Sequence, residues 1–272
     1  MIEHSAQFAV LQLVYHMIEA HSLFFSYSDA SFASLRGISF EIPTGSLACL
    51  AGANGSGKST LLCLLAGLFS PTPGPGQKKL VSPPLRVGEA LSPGDEKLMR
   101  KQAALVLQDP DRHILGATVS EDLYMGLPSD DGTPDCPRRK AYEAVSRLGL
   151  EDRLDSLVDE LSYGQKRKLC LATALARSPR LLLLDEPFSG LDYPSILEMR
   201  RILAANREAG ITQIIATHDL EPLADIADYL VLLQKGALAC QGRPIDLMGR
   251  AAEFGLRPPC SWQRNHTLEP WR

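Results

Sequence analysis

The apolar positions along the chain form short uninterrupted runs that are separated by turn residues. The runs at 47–51, 103–107 and 181–184 contain no charged residue, which is typical of strands buried inside a parallel sheet. Upstream, residues 22–27 and 38–42 alternate loosely with a period of two, so we predict two antiparallel strands there. The pattern therefore predicts an α/β core preceded by antiparallel strands.

Between the runs at 103–107 and 181–184 the apolar spacing becomes helical. Thr118, followed by Glu121 and Asp122, is typical of a helix start. Helical spacing is found at residues 141, 144, 145 and 148, continues through 150–157, and is followed by a helical run at 166–176. We predict a helical insertion between core strands.

The pattern extends to about residue 248. We predict an amphipathic helix at 195–207, a strand at 212–216 and a last strand at 229–233 that precedes a hairpin. Residues 249–272 show no periodicity, and we assign no role to this tail. At the other end, Met1-Ile-Glu is repeated at Met17. We expect residues 1–16 to be an upstream extension or a start-site artefact, and residues 17–248 to form the main domain.

Composition narrows the class of protein. The 28 Lys and Arg residues are outnumbered by 32 Asp and Glu residues, and sequence-independent binding of nucleic acid usually requires a basic face. We therefore expect no nucleic-acid partner. The six cysteines show no metal-ligand spacing, which favours a reducing compartment. No window approaches the roughly 20 apolar residues that span a bilayer, so we expect a soluble or peripheral protein.

A glycine-rich stretch at 52–59 carries the clearest chemistry. It has the spacing G-x-x-x-x-G-K-S and lies between an apolar strand and an apolar helix, and these flanks disfavour an incidental turn. Such a turn directs backbone N–H groups and a helix N-terminus at a phosphate. Lys58 is expected to contact the β- and γ-phosphates, and the Ser59 hydroxyl to ligate Mg²⁺. The predicted nucleotide-binding residues of the loop are Asn54, Gly55, Ser56, Gly57, Lys58, Ser59 and Thr60.

Polar side chains follow three of the predicted core strands. Gln108 ends the first, Asp185 and Glu186 end the second, and His218 ends the third. Taken singly, each has a plain alternative as a loop residue, a solvated acid or a structural histidine. Because the carboxyl ends of parallel strands meet at one edge, we predict that Asp185 holds a metal ion and that Glu186 polarises a water. Gln108 is expected to reach either that metal ion or the water beside the γ-phosphate. We expect His218 to act at the same place, beside the γ-phosphate.

Tyr27 precedes the phosphate loop. Its ring has two interpretations that position alone does not separate: stacking on adenine, or packing in the core.

Taken together, these motifs resemble the ATP-binding subunit of an ABC transporter over about residues 17–248. The resemblance implies a phosphate-loop NTPase fold of the ABC ATPase type, with a mixed core sheet, an antiparallel β subdomain and a helical subdomain at about 110–175. The matching elements, in the family's order, are Tyr27, the loop 52–59, Gln108, a signature motif at 161–165, Asp185 with Glu186, the segment 189–192 and His218.

The signature motif departs from the family's usual Leu-Ser-Gly-Gly-Gln, because Tyr163 replaces the first glycine. The resemblance implies that Ser162, Gly164 and Gln165 bind nucleotide across a dimer in which two subunits sandwich two ATP molecules. It therefore implies ATP and Mg²⁺ as cofactors and a homodimer or a heterodimer with a second ABC ATPase. It also implies integral membrane transport subunits docked beside Gln108, and a peripheral location on the cytoplasmic face of the membrane.

Residues 108–122 resemble the corresponding segment of energy-coupling-factor importers of the cobalt, nickel and vitamin type, although His113 stands where that family often has glutamine. The implied function is ATP hydrolysis that powers uptake of such a metal ion or vitamin. The alternatives are the ATPase of a conventional ABC importer or exporter, and an ABC ATPase of DNA repair, translation or ATP-gated regulation. Residues 61–160 contain neither long heptads nor a second phosphate loop, and Glu186 disfavours a regulator without turnover.

Overall fold

The computed structural model describes residues 15–28, 32–127 and 136–270. Its first layer is an antiparallel sheet of four strands in the order β2-β1-β4-β5. Along β2 the side chains alternate, with Leu35, Ile38, Phe40 and Ile42 buried, which confirms the predicted period of two. The strands of this sheet are β1 (His16–Phe25), β2 (Leu35–Pro43), β4 (Leu85–Val87) and β5 (Ala90–Ser92).

A six-stranded sheet in the order β10-β9-β3-β8-β7-β6 forms the centre of the fold. Every residue of β3, β7 and β8 is buried, as the uninterrupted apolar runs predict. These three strands pair in parallel, so their carboxyl ends meet at one edge. The strands are β3 (Leu47–Ala51), β6 (Ala103–Val106), β7 (Leu181–Asp185), β8 (Thr212–Thr217), β9 (Tyr229–Gln234) and β10 (Ala237–Gly242).

The two faces of the central sheet support different layers. Leu181 and Leu183 of β7 pack with helix α1 (Lys58–Leu65) and with the antiparallel sheet. Leu182 and Leu184 point to the opposite face and pack with the helical layer. The phosphate-loop helix is therefore enclosed between two sheets, which fixes its orientation relative to the strand ends.

The helical layer contains α3 (Val119–Tyr124), α4 (Pro137–Arg147) and α5 (Tyr163–Ala176). Thr118 and Glu121 form a reciprocal capping box at the start of α3, which confirms the predicted helix start. The prediction that 150–157 continues the helical pattern is wrong. Gly149, at φ +66°, ends α4, and the chain then forms a single 3-10 turn, Glu151–Arg153.

Strand β6 also differs from its prediction as a fully buried strand. Only Val106 among its four residues is buried, because β6 lies at the edge of the sheet and pairs with β7 alone in the described part of the chain. The polar segment that precedes β6 forms helix α2 (Glu96–Gln102), which the apolar pattern did not indicate.

The remaining helices are α6 (Tyr193–Glu208), α7 (Pro244–Leu247) and α8 (Cys260–Asn265). Strand β9 is not the last strand, because β10 returns antiparallel to it after the predicted hairpin. Ala251 and Leu256 of the tail, and Met248 just before it, are buried against the helical side of the core. No helix in the described ranges is long and apolar enough to cross a membrane. The prediction for residues 1–16 falls almost entirely outside the described residues, since β1 begins at His16.

Candidate active site

A cleft of about 370 Å³ opens where the carboxyl ends of the core strands meet. The pairing register of β3, β8 and β7 brings these strand ends to the same level, because Ala51 pairs with Thr217 and Ala216 pairs with Asp185. The phosphate loop, the acidic pair and His218 therefore leave the sheet side by side. The cleft is lined by Ser34, Asn54, Gly55, Gly57, Lys58, Ser59, Thr60, Gln108, Asp185, Glu186 and His218.

The phosphate loop has the conformation that its glycines permit. Gly57 has φ +104°, and a Cβ placed there would lie 2.7 Å from Leu35 Cδ2, so a larger residue would displace the start of α1. Lys58 Nζ donates to the Gly52 carbonyl at 2.8 Å. The lysine is thus buried and held over the loop. With free N–H groups at the first turn of α1, this arrangement attracts a polyphosphate.

Glu186 is the centre of the polar network in the cleft. Its Oε1 lies 2.8 Å from His218 Nδ1 and 3.7 Å from Lys58 Nζ. Its Oε2 accepts a hydrogen bond from Thr217 Oγ1 at 3.3 Å. A carboxylate held in this way beside a phosphate loop can orient and polarise a water for attack on a γ-phosphate.

Three oxygen-bearing side chains in the cleft suit Mg²⁺: Ser59, Gln108 and Asp185. Burial raises the pKa of Asp185, and a hydrogen bond with the Ser59 hydroxyl opposes that rise. A bound dication would favour the charged carboxylate. No cluster of three or more His, Cys, Asp or Glu in the described ranges could hold a metal ion. The three oxygen donors of the cleft fit an ion such as Mg²⁺, which is commonly held by one or two protein side chains together with substrate phosphates.

Comparison with known proteins decides the family. Residues 35–189 match the family model described as ABC transporter. This chain belongs to that family.

The relatives of this ABC transporter ATPase include energy-coupling-factor proteins. It is 36% identical over 236 residues to the energy-coupling factor transporter ATP-binding protein EcfA2 of Lactococcus lactis, covering 85% of this chain and 80% of the relative. It is also 36% identical over 232 residues to the cobalt import ATP-binding protein CbiO of Rhodobacter capsulatus, covering 83% and 80% of the two chains.

Among solved structures, cbiO1 of Clostridium perfringens, described as part of the complex cbiONQ, matches with a TM-score of 0.72 and 30% identity. The match covers 86% of this chain and 91% of that one. These matches confirm the predicted fold class, the resemblance to energy-coupling-factor ATPases and the assignment as an ATP-binding transport ATPase.

The signature residues of the ABC ATPase lie elsewhere. Ser162 caps α5 and forms a reciprocal box with Gln165, with Ser162 N donating to Gln165 Oε1 at 2.8 Å. Neither these two residues nor Gly164 lines the cleft. The structure therefore does not bring the signature to the nucleotide cleft of the same chain, and its predicted role as a nucleotide contact stays a prediction.

Tyr27 lies beside the cleft of the ABC ATPase rather than in its lining. Its hydroxyl is 3.0 Å from Thr60 Oγ1, and its ring makes edge contacts with Phe25 and Phe69. The residue is nevertheless 44% exposed, so the packed ring still presents a surface. Both interpretations of Tyr27 remain compatible with this position. Ser56 is buried at the base of the loop, and its hydroxyl has no hydrogen-bond partner among the described residues.

Sequence reasoning missed three residues of the site. Ser34 lines the cleft from the loop before β2, and Thr217 bonds Glu186. Arg167 is buried in α5 and donates to the Glu186 carbonyl at 3.0 Å. Thr217 was detectable as a hydroxyl directly before His218. The other two give no local signal, because chain folding alone brings them to the site.

Proposed function

We propose that this ABC transporter ATPase powers the uptake of a cobalt or nickel ion, or of a vitamin, through an energy-coupling-factor type importer. The observation that carries the ATPase step is the Glu186 carboxylate, which lies between Lys58 and His218 in a cleft floored by a phosphate loop. The importer type is supported by segment 108–122 and by relatives named for energy coupling and cobalt import.

In the proposed reaction Lys58 neutralises charge on the β- and γ-phosphates, while the loop N–H groups hold the phosphate oxygens. Asp185, Ser59 and Gln108 would hold Mg²⁺, which when bound would supply Lewis-acid polarisation of the phosphates. Glu186 orients the attacking water, and His218 holds Glu186 in position. Each of these side chains lines the same cleft, so no rearrangement of the sheet is required before attack.

A second ATPase chain completes the proposed site. As the resemblance to ABC ATPases implies, the signature residues Ser162, Gly164 and Gln165 would serve a facing chain in a homodimer or a heterodimer, and their position outside the cleft of their own chain is compatible with this role. Groups supplied in trans to a γ-phosphate are worth about 10³–10⁵ in rate in other phosphate-loop enzymes. We therefore expect an isolated monomer to hydrolyse ATP slowly.

The proposed membrane partner fits a groove of about 360 Å³ beside β6. Leu68, Leu115 and Met125 line this groove and are 54%, 77% and 42% exposed, an apolar surface that favours contact with another protein. Its occupant would be an apolar helix of an integral membrane transport subunit. Docking there places the ATPase at the cytoplasmic face of the membrane, next to Gln108.

The test compares the wild type with Glu186→Gln in ATPase rate and in ATP-dependent dimerisation. We expect the variant to lose about 10²–10⁴-fold in turnover and to accumulate as an ATP-bound dimer. A variant that stays monomeric with ATP bound would indicate a different ATPase chain or a required membrane partner. Undiminished turnover would contradict the assignment of Glu186.

The transported class is tested in cells that carry the Glu186→Gln chain in place of the wild type. Uptake of labelled Co²⁺, Ni²⁺ and vitamins is measured against a wild-type control. Loss of uptake of one of them supports the importer. Normal uptake of all, together with retention of another compound inside the cells, would indicate an exporter.

A further inference from the structure

The backbone at Glu186 has an unusual conformation. Its φ is +49°, in the left-handed region that side-chain-bearing residues adopt rarely and that persists only where neighbouring groups impose it. Glu186 N–H donates to the Ala216 carbonyl at 2.9 Å, and Ser189 N–H donates to the Glu186 carbonyl at 3.2 Å. The direction of the Glu186 side chain therefore depends on how firmly the two peptide groups that flank its Cα are held.

Arg167 supplies a third hydrogen bond to the backbone of Glu186 from a different part of the fold. Its Nη1 donates to the Glu186 carbonyl at 3.0 Å. Arg167 is only 4% exposed and forms no salt bridge with a described residue, and its Nε has no hydrogen-bond partner among them. A buried cation without a direct bond to a carboxylate is costly to desolvate. The Arg167 charge nevertheless acts on the Asp185 carboxylate, since burial raises the Asp185 pKa and the charge opposes that rise.

Tyr163 holds the guanidinium from the other side. Its hydroxyl accepts a hydrogen bond from Arg167 Nη2 at 2.9 Å, and the guanidinium carbon lies 5.1 Å from the ring centroid. The ring also packs on Gly190, where a Cβ would lie 3.0 Å from Tyr163 Cε1. The glycine that ABC signature motifs usually carry here would make neither contact with Arg167.

We infer that Arg167 is a positioning residue for Glu186, and that Tyr163 holds the Arg167 guanidinium for this purpose. The inference rests on the proposed function, in which Glu186 orients the attacking water. Tyr163 and Arg167 both belong to the first turns of α5. The helix that carries the signature motif at its N-terminus therefore also determines the direction of the water-orienting carboxylate of its own chain.

The test measures kcat and KM for ATP in the full-length chain under dimer-forming conditions. Arg167→Met removes both donors at nearly constant volume, and Arg167→Lys keeps the charge and one donor group. Tyr163→Phe removes only the hydroxyl, and with it the bond from Arg167 and a long bond of 3.5 Å to the Gln108 carbonyl. Lys168→Met is the matched control, because it also removes a cation from α5. The Lys168 ammonium pairs with Glu198 at 2.7 Å, and neither residue lines the cleft.

We expect Arg167→Met to lower kcat by about 10- to 100-fold while KM changes less than about threefold, and Tyr163→Phe to lower kcat by about 3- to 10-fold. Arg167→Lys should recover part of the loss, and Lys168→Met should stay within about twofold of wild type. This split distinguishes positioning from general loss of structure, which would also weaken ATP binding.

The inference is overturned if Arg167→Met keeps wild-type kcat, or if its loss lies in KM rather than kcat. If Arg167→Met does not fold, Tyr163→Phe decides: a normal kcat in that variant overturns the inference. Turnover by the wild type and ATP trapping by Glu186→Gln test the proposed function separately. If the wild type is active and the Arg167 and Tyr163 variants are unaffected, only the positioning role is overturned. If the wild type is inactive, both the positioning role and the proposed function are overturned.

Discussion

Glu186 Oε1 and His218 Nδ1 lie 2.8 Å apart, although 32 positions of sequence separate the two residues. Glu186 directly follows β7 and His218 directly follows β8, and these strands are neighbours in parallel. The contact therefore follows from sheet topology. Among the cleft-lining residues that the structure describes, His218 has the side chain that lies nearest to a Glu186 carboxylate oxygen, since Lys58 Nζ is 3.7 Å away.

Replacing His218 with alanine removes this contact. We expect kcat to fall by about 10²-fold or more, with ATP affinity little changed, because the proposed phosphate ligands, Lys58 and the loop, do not depend on the histidine. Steady-state kinetics and equilibrium ATP binding separate the two quantities. His21→Ala, at an exposed position of β1, is the control. A loss of affinity without a loss of kcat would contradict this assignment.

Ser59→Ala should make hydrolysis depend on a higher Mg²⁺ concentration. The serine residue lines the cleft, its hydroxyl hydrogen-bonds Asp185, and it is one of the three oxygen ligands that we propose for Mg²⁺. We expect the Mg²⁺ concentration for half-maximal rate to rise by about tenfold or more. ATP binding in EDTA should match that of the wild type. An unchanged Mg²⁺ dependence would exclude Ser59 as a ligand.

Tyr27 is tested by comparing ATP with inorganic tripolyphosphate. If the ring stacks on adenine, Tyr27→Ala should weaken ATP binding by about 5- to 100-fold and leave tripolyphosphate binding unchanged, while Tyr27→Phe keeps the affinity for ATP. Equal losses for both ligands would instead show that the hydrogen bond with Thr60 and the packing on Phe25 and Phe69 support the loop.

Glu96 predicts a pH-dependent contribution to stability. Burial acts to raise its pKa, but hydrogen bonds from Ser70, Ser92 and the Gly94 N–H lower the pKa of Glu96 from 4.5 to about 2. A carboxyl group whose pKa is lowered in the folded state stabilises that state above its unfolded pKa. This stabilisation is lost as the pH falls from 4.5 towards 2.

Glu96→Gln should accordingly lower the free energy of unfolding by about 1 kcal/mol at neutral pH, given the partial exposure of the group. The difference from wild type should shrink as unfolding is measured at successively lower pH below about 4.5. A difference that stays constant over this range would show that the substitution acts through packing rather than through the charge.

The placement of the main cleft residues was predictable from sequence. Gln108, Asp185 and His218 each follow an apolar run, and parallel strands that pair side by side bring such ends together whatever lies between them in the chain. The glycine spacing before Lys58 predicts the phosphate-loop turn. Both the apolar runs and the glycine spacing are local sequence signals, so they can be recognised without knowledge of the tertiary structure.

Other features depend on long-range packing and have no local signal. The left-handed backbone of Glu186 is imposed by neighbours from β8 and α5. The edge position of β6 follows from strand order, which its apolar sequence does not encode. The error in predicting a helical pattern after residue 149 has a different cause, which is local. Gly149 carries a helix-ending signal that competes with the apolar spacing.

The edge position of β6 divides the cleft into a stiff part and a compliant part. Lys58, Glu186 and His218 follow or adjoin strands that are hydrogen-bonded on both sides, whereas Gln108 follows a strand bonded on one side. A displacement of β6 at its apolar groove would therefore move the Gln108 amide while the carboxylates of Asp185 and Glu186 stay in place. In the proposed complex, a docked subunit would thus affect the coordination of Mg²⁺ through Gln108 before it affected Glu186, the proposed water-orienting base.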